Sequence, residues 1–75
     1  MFDNFYLAEV RDLTDFSSLQ ARRVFYGRDD HATRQAAERW ARDTAGALEA
    51  KQKAAGLDFA DVEGKAWPCG GEVIA

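Results

Sequence analysis

A single long amphipathic helix dominates the chain and narrows what the rest of it can build. Across residues 30–55, Ala37, Trp40, Ala41, Thr44, Ala47 and Leu48 recur at spacings of three and four, the period that gathers side chains on one helix face. Asp30 suits the N-cap, because its carboxylate can accept from an amide of the first turn that lacks a helical partner. Gly56 suits the stop, since glycine takes the left-handed backbone that closes many helices. The stripe is largely alanine, so the helix can lie close to a sheet while Trp40 supplies bulk. Gly46 weakens the helix interior by about 1 kcal/mol relative to Ala. On the opposite face Arg34–Glu38, Glu38–Arg42, Arg39–Asp43 and Glu49–Lys53 stand four apart, each pair contributing about 0.2–0.5 kcal/mol. Acids interleaved with arginines make this a solvated face, not a nucleic-acid surface.

The remaining chain reads as strands. Residues 4–11 (NFYLAEVR) are rich in aromatic and branched side chains, with Tyr6, Ala8 and Val10 alternating against Phe5, Leu7, Glu9 and Arg11. In residues 19–26 (LQARRVFY), Arg22, Val24 and Tyr26 alternate with Ala21, Arg23 and Phe25. The turn-prone RDLTDFSS between them predicts a hairpin; a short helix over residues 14–24, capped by Thr14, is the alternative. Residues 58–67 (DFADVEGKAW) place Ala60, Val62, Gly64 and Ala66 on one side and Asp61, Glu63 and Lys65 on the other, between Phe59 and Trp67. Trp67, Pro68, Cys69 and Gly70 read as a turn with Pro in its second position, and residues 71–75 as a last short edge strand. The predicted fold is α+β. Its order is β-β-α-β, with one long helix packed on one face of a small antiparallel sheet of three or four strands. No repeat, low-complexity stretch or linker divides the chain, so residues 1–75 form a single domain.

Size limits function. A 75-residue domain buries only about 60% of the surface its unfolded chain exposes. Little is left for an active-site cleft beside a core, and a dimer would relieve the shortage. A hydrophobic share of 47% with 31% charged residues is that of a folded, soluble chain. One cysteine rules out an internal disulfide, and with a single histidine it makes no zinc site. Without a disulfide framework the expected setting is intracellular. The N-terminal MFDNFYLAEVRD has no basic start and apolar run of a signal peptide, and no stretch approaches the roughly 20 apolar residues of a membrane span. Beginning at Met1, the chain is expected to be a complete short gene product.

The net charge of −3 argues against general nucleic-acid binding, which wants a basic footprint. Its distribution is uneven: residues 1–20 carry −3, residues 21–42 carry +3 and residues 43–75 carry −3. A basic middle between acidic ends can steer an encounter with a charged partner, though solvated faces carry charge in any case.

No catalytic constellation can be assembled. His31 starts the helix beside Asp29 and Asp30, distant in sequence from Ser17, Ser18 and Cys69, whereas a catalytic histidine needs a nucleophile or metal beside it. No carboxylate sits in a convincing apolar setting that would raise its proton affinity. Gly70-Gly71 precedes a strand, not the helix a phosphate loop requires. Asp29-Asp30 reads as cap and turn, not a metal site. The chain is therefore expected to be a binding protein without cofactor or metal, not an enzyme.

Two features point to association. Cys69, between Pro68 and Gly70-Gly71, is expected on an exposed turn, where a cysteine can form an intermolecular disulfide. It is placed at or near a homodimer contact, disulfide-linked only when oxidised. The helix covers one sheet face, so Phe5, Leu7, Phe25, Phe59 and Trp67 are expected to include several on the far face. An apolar patch there suggests a partner.

As a whole, NFYLAEVR, RRVFYGRDDHATRQAAERWARDTAGALEAKQKAAG and FADVEGKAWPCGG resemble the small anti-CRISPR proteins of phages and other mobile elements, most closely the type I-C inhibitors of Gram-negative bacteria. The resemblance covers the full length and lies in an Ala-rich helix beside aromatic strands in a short acidic chain. It implies a stoichiometric inhibitor in the bacterial cytoplasm. Such a protein binds subunits of the RNA-guided CRISPR effector complex and blocks target DNA engagement, with no membrane and no direct nucleic-acid binding of its own. Carboxylates set against a basic channel would carry the contact. Charge placement picks Asp58, Asp61 and Glu63, on one side of a predicted strand, with Asp29 and Asp30 second. The competing readings are a small oligomerising phage structural protein and a DNA-binding regulator using Arg22, Arg23, Arg28, Arg34, Arg39 and Arg42.

Overall fold

The computed structural model describes residues 4–69. Strand β1 spans Asn4–Asp12, β2 Ser18–Gly27 and β3 Val62–Pro68, and the helix α1 spans Asp30–Ala54. The sheet order is β2-β1-β3, with β1 antiparallel to both neighbours. The outer strands therefore run parallel to each other, and α1 is the crossover that carries the chain past β1. This is the α+β architecture the sequence pattern predicts. Between β1 and β2 only Leu13–Asp15 form a 3-10 turn, so residues 18–24 belong to a strand and the short-helix alternative falls away. Trp67 and Pro68 continue β3 instead of opening a turn. The strand expected over residues 71–75 lies outside the described residues.

The helix starts one residue earlier than its expected cap. Asp29 is the N-cap: its carboxylate accepts from the Ala32 amide at 3.1 Å, and its carbonyl accepts from the Thr33 amide at 2.9 Å and the Thr33 hydroxyl at 2.7 Å. Asp30 is thereby released to accept the Tyr6 hydroxyl at 2.6 Å, tying the first helical turn to β1. That carboxylate, with burial reinforcing it, pushes the Tyr6 phenol above its ordinary range. At the other end Gly56 takes φ +101°, and the Gly56 and Leu57 amides bond back to the Lys53 and Gln52 carbonyls, each at 3.0 Å. These bonds occupy carbonyls that a helix end leaves without partners.

The buried row of α1 is Thr33, Ala37, Ala41 and Ala45, flanked by half-buried Trp40, Thr44, Leu48 and Gln52. Ala47 is exposed and does not belong to the stripe. At about 100° per residue it stands about 120° around the helix from Ala41, whereas Ala45 stands only about 40° away. Facing this row, β1 contributes Tyr6, Ala8, Val10 and Asp12, all buried. Phe25 also faces the helix, contrary to its expected place on the far side. Its ring lies 6.0 Å from that of Trp40 and packs against the cluster of Tyr6, Ala8, Ala37 and Ala41.

With alanine on the helix and Ala8 beneath, the layers approach closely enough that β3 needs glycine where α1 crosses it. A Cβ on Gly27 would collide with the Thr33 hydroxyl, and one on Gly64 would collide with the backbone of Ala41. At the far end of β1, Asp12 is only 7% exposed. Its carboxylate accepts from Gln52 Nε2 at 2.8 Å and from the Thr14 amide at 3.0 Å. The Gln52 bond, helped by those from Thr14, holds the Asp12 carboxyl below its usual range against the opposing effect of burial.

Candidate interaction surface

Among the described residues, α1 covers one face of the sheet and no element covers the other. The antiparallel register arranges that open face in cross-strand rows: Tyr26–Phe5, Val24–Leu7–Trp67, Arg22–Glu9–Lys65 and Leu19–Arg11–Glu63. The first two rows are apolar. The Phe5 and Tyr26 rings stand 6.4 Å apart. Leu7 is only 6% exposed although it points away from the helix; Val24 and Trp67 are its partners across the ladder. Trp67, Tyr26 and Leu19 remain exposed.

The other two rows are mainly charged, and their charges pair within and between the rows. Glu9 accepts from Arg11 Nε at 3.3 Å and Nη2 at 3.2 Å, and Arg22 Nε stands 3.8 Å from it. Lys65 Nζ lies 2.9 Å from Glu63. Arg11 also donates through Nη1 to the Ser17 carbonyl at 2.9 Å. A shallow groove of about 250 Å³ runs here, lined by Glu9, Arg11, Leu13, Ser17, Glu63, Lys65 and Trp67. Exposed pairs like these contribute little stability, but they make the face nearly neutral.

Beyond the groove the chain holds Phe16 in water. Phe16 and Ser17 both take left-handed backbone, at φ 53° and 58°, and Phe16 is 97% exposed. Each non-glycine residue in that region costs roughly 1–2 kcal/mol, and an exposed phenyl ring forgoes the gain of burial. The loop around it is tied down. The Leu13 amide donates to the Asp61 carbonyl at 2.9 Å, and the Asp61 amide donates to the Thr14 hydroxyl at 2.9 Å. The Ser18 hydroxyl donates to Asp15 at 3.1 Å. Exposed Leu57 and Phe59 lie in the α1–β3 connection, shortly before Asp61.

The residues singled out from sequence scatter over this frame. Asp58, Asp61 and Glu63 do not share a strand: β3 begins only at Val62, Asp58 lies in a turn with Phe59, and Asp61 precedes the strand. Of the three, only Glu63 is on the open sheet face, where Lys65 pairs with it. Asp29 and Asp30 are occupied by the cap and by Tyr6. Cys69 is half-buried instead of exposed on a turn, and its amide donates to the Phe5 carbonyl at 2.9 Å, continuing the β1–β3 ladder. His31 is exposed on the first turn of α1. No group of three His, Cys, Asp or Glu side chains among the described residues is placed to hold a metal ion. No helix among them is long and apolar enough to cross a membrane.

Sequence reasoning missed Phe16, Val24 and Tyr26 as surface residues. Phe16 carried a signal, an aromatic residue inside the otherwise polar turn run TDFSS. No protein-family model matches the chain, and no curated protein or solved structure matches it.

Proposed function

We propose that this chain is a stoichiometric binding protein that inhibits a type I RNA-guided effector complex, with the Phe16 end of the open sheet face as its contact. The observation that carries the binding part is Phe16 itself: strained backbone and a ring 97% exposed, in a loop fixed by hydrogen bonds. Strain held in place by its surroundings is characteristic of functional sites, and rigid aromatic anchors dominate binding energy at interfaces. Asp15 belongs to the same loop as Phe16, and Asp61 is joined to that loop at Thr14 through its backbone. Asp58 lies three residues earlier. An aromatic anchor on an acidic loop suits a basic channel that otherwise holds nucleic acid. The identity of the partner rests on the sequence resemblance alone.

The test is target-DNA binding by a purified type I-C effector complex, with and without excess of this protein. Loss of DNA binding together with co-elution is the expected result. Undisturbed DNA binding without co-elution discards the inhibitor reading. Salt-sensitive DNA binding by the isolated chain favours the regulator instead.

Phe16→Gly separates contact from fold. Relief of left-handed strain offsets glycine's greater freedom in the unfolded chain, so thermal stability stays near that of the parent. Inhibition weakens about tenfold. Charge reversal at Asp58, Asp61 and Glu63 together is expected to weaken inhibition several-fold; unchanged potency would remove these carboxylates from the contact.

A further inference from the structure

We propose that two copies of this chain pair through the outer edge of β2, antiparallel, with Val24 of one copy opposite Val24 of the other. The sheet then continues across a twofold axis. This does not rest on the inhibitor reading.

The ladder fixes which backbone groups are available. The Cys69 amide bonds the Phe5 carbonyl, so by antiparallel alternation Phe5, Leu7, Glu9 and Arg11 bond toward β3, and Tyr6, Ala8 and Val10 bond toward β2. Their register partners Phe25, Arg23 and Ala21 use their amides and carbonyls inward. Those of Arg22 and Val24 point outward from a ten-residue edge strand, beyond which no described element lies.

The edge of β3 is closed by comparison. Its outward positions are Val62, Gly64, Ala66 and Pro68. The Val62 amide donates to Glu49 at 3.2 Å, Gly64 lies under the Ala41 backbone, and Pro68 has no amide hydrogen. An unpaired strand edge is a template for pairing with another chain.

Complementarity selects the occupant and the register. Centring the pair on Val24 sets Arg23 opposite Phe25 and Arg22 opposite Tyr26, on both sides of the axis. Arg23 already stacks over its own Phe25 at 4.7 Å, the geometry of a cation–π contact, so the cross-strand pair repeats a contact this sequence makes. Centring on Arg22 or on Arg23 instead sets two guanidinium groups directly opposite, which is destabilising. Centring on Phe25 or Tyr26 leaves fewer residues paired before the strand ends at Gly27. The strand is thus self-complementary in this register, as a twofold interface requires. The resulting sheet has both helices on one side and both open faces joined on the other.

The test combines solution mass with register-specific cross-linking, both on the full chain. Light scattering is expected to give twice the mass of one chain. Val24→Pro removes an outward amide and leaves the β1 ladder intact, so it shifts the protein to monomer with at least tenfold weaker association and an unchanged circular dichroism spectrum. Should Val24→Pro disturb the fold, the cross-link decides. In a Cys69→Ser background, Val24→Cys is expected to form a disulfide-linked dimer, because directly opposed hydrogen-bonded residues have Cα atoms about 5.5 Å apart. Arg22→Cys in the same background is not, since the two copies of that residue lie about 13 Å apart along the strand. A monomer at every concentration tested overturns the proposal. So does Arg22→Cys cross-linking as well as Val24→Cys.

Discussion

Gly64→Ala is expected to cost at least about 3 kcal/mol, the upper part of the range for forcing atoms into a packed interior. The new methyl would fall on the carbonyl oxygen, carbonyl carbon and Cα of Ala41. These are backbone atoms in the middle of α1, so no side-chain rotation makes room and the helix must lift from β3. Lifting it opens the contacts of Ala37, Ala41 and Ala45, which are the buried row of the helix. For a chain of this size total stability is about 4–11 kcal/mol at typical values per residue, so the substitution removes a large share. Gly46→Ala is the control. Nothing stands within 4 Å of its Cβ position, and the change is expected to stabilise α1 by about 0.5–1 kcal/mol. Chemical denaturation of the two variants reads both. If Gly64→Ala unfolds within about 1 kcal/mol of the parent, α1 does not seat on β3 as described.

How much of this was legible in the sequence depended on whether a residue's environment is set locally or across the sheet. The alternation of Tyr6, Ala8 and Val10 against Phe5, Leu7 and Glu9 is a local period, and it places each residue on its correct face. The α+β architecture follows from such periods. The helical stripe was blurred because α1 carries alanine at positions 37, 41, 45 and 47. A small apolar residue is tolerated on either face, so composition could not decide between Ala45 and Ala47. Phe25 was misplaced although its alternation was read correctly, because which face of β2 meets the helix is set by pairing with β1. The acidic cluster failed for a related reason. Alternation carried the third strand back to residue 58, but the chain leaving α1 turns through Asp58 and Phe59 before Val62 can pair with Asp12. The strain at Phe16 and Ser17 was not legible, since neither residue favours positive φ on its own.

Asp12→Ala is expected to lower the folding equilibrium constant roughly thirtyfold, within the range for leaving a buried polar group without its partner. Asp12 joins the end of β1 to the last turns of α1 through Gln52 and caps the Thr14 amide as well. Gln52 Oε1 already has no partner among the described residues, so losing Asp12 leaves that amide with neither end satisfied among them. Asp12→Asn keeps one acceptor oxygen and turns the other into an amide donor, which the Gln52 side chain can meet by turning its own oxygen toward it, so its cost is smaller than that of Ala. Because the folded carboxyl titrates below its ordinary value, the unfolded chain binds the proton first as pH falls. The contribution is therefore fully present above the ordinary Asp range and is lost as pH drops through the folded value. The stability gap between parent and Asp12→Asn should narrow over that acid window and be constant above it. A gap that stays the same down to the lowest pH at which the fold survives would mean that the Asp12 charge, as distinct from its shape, does not help hold β1 to α1.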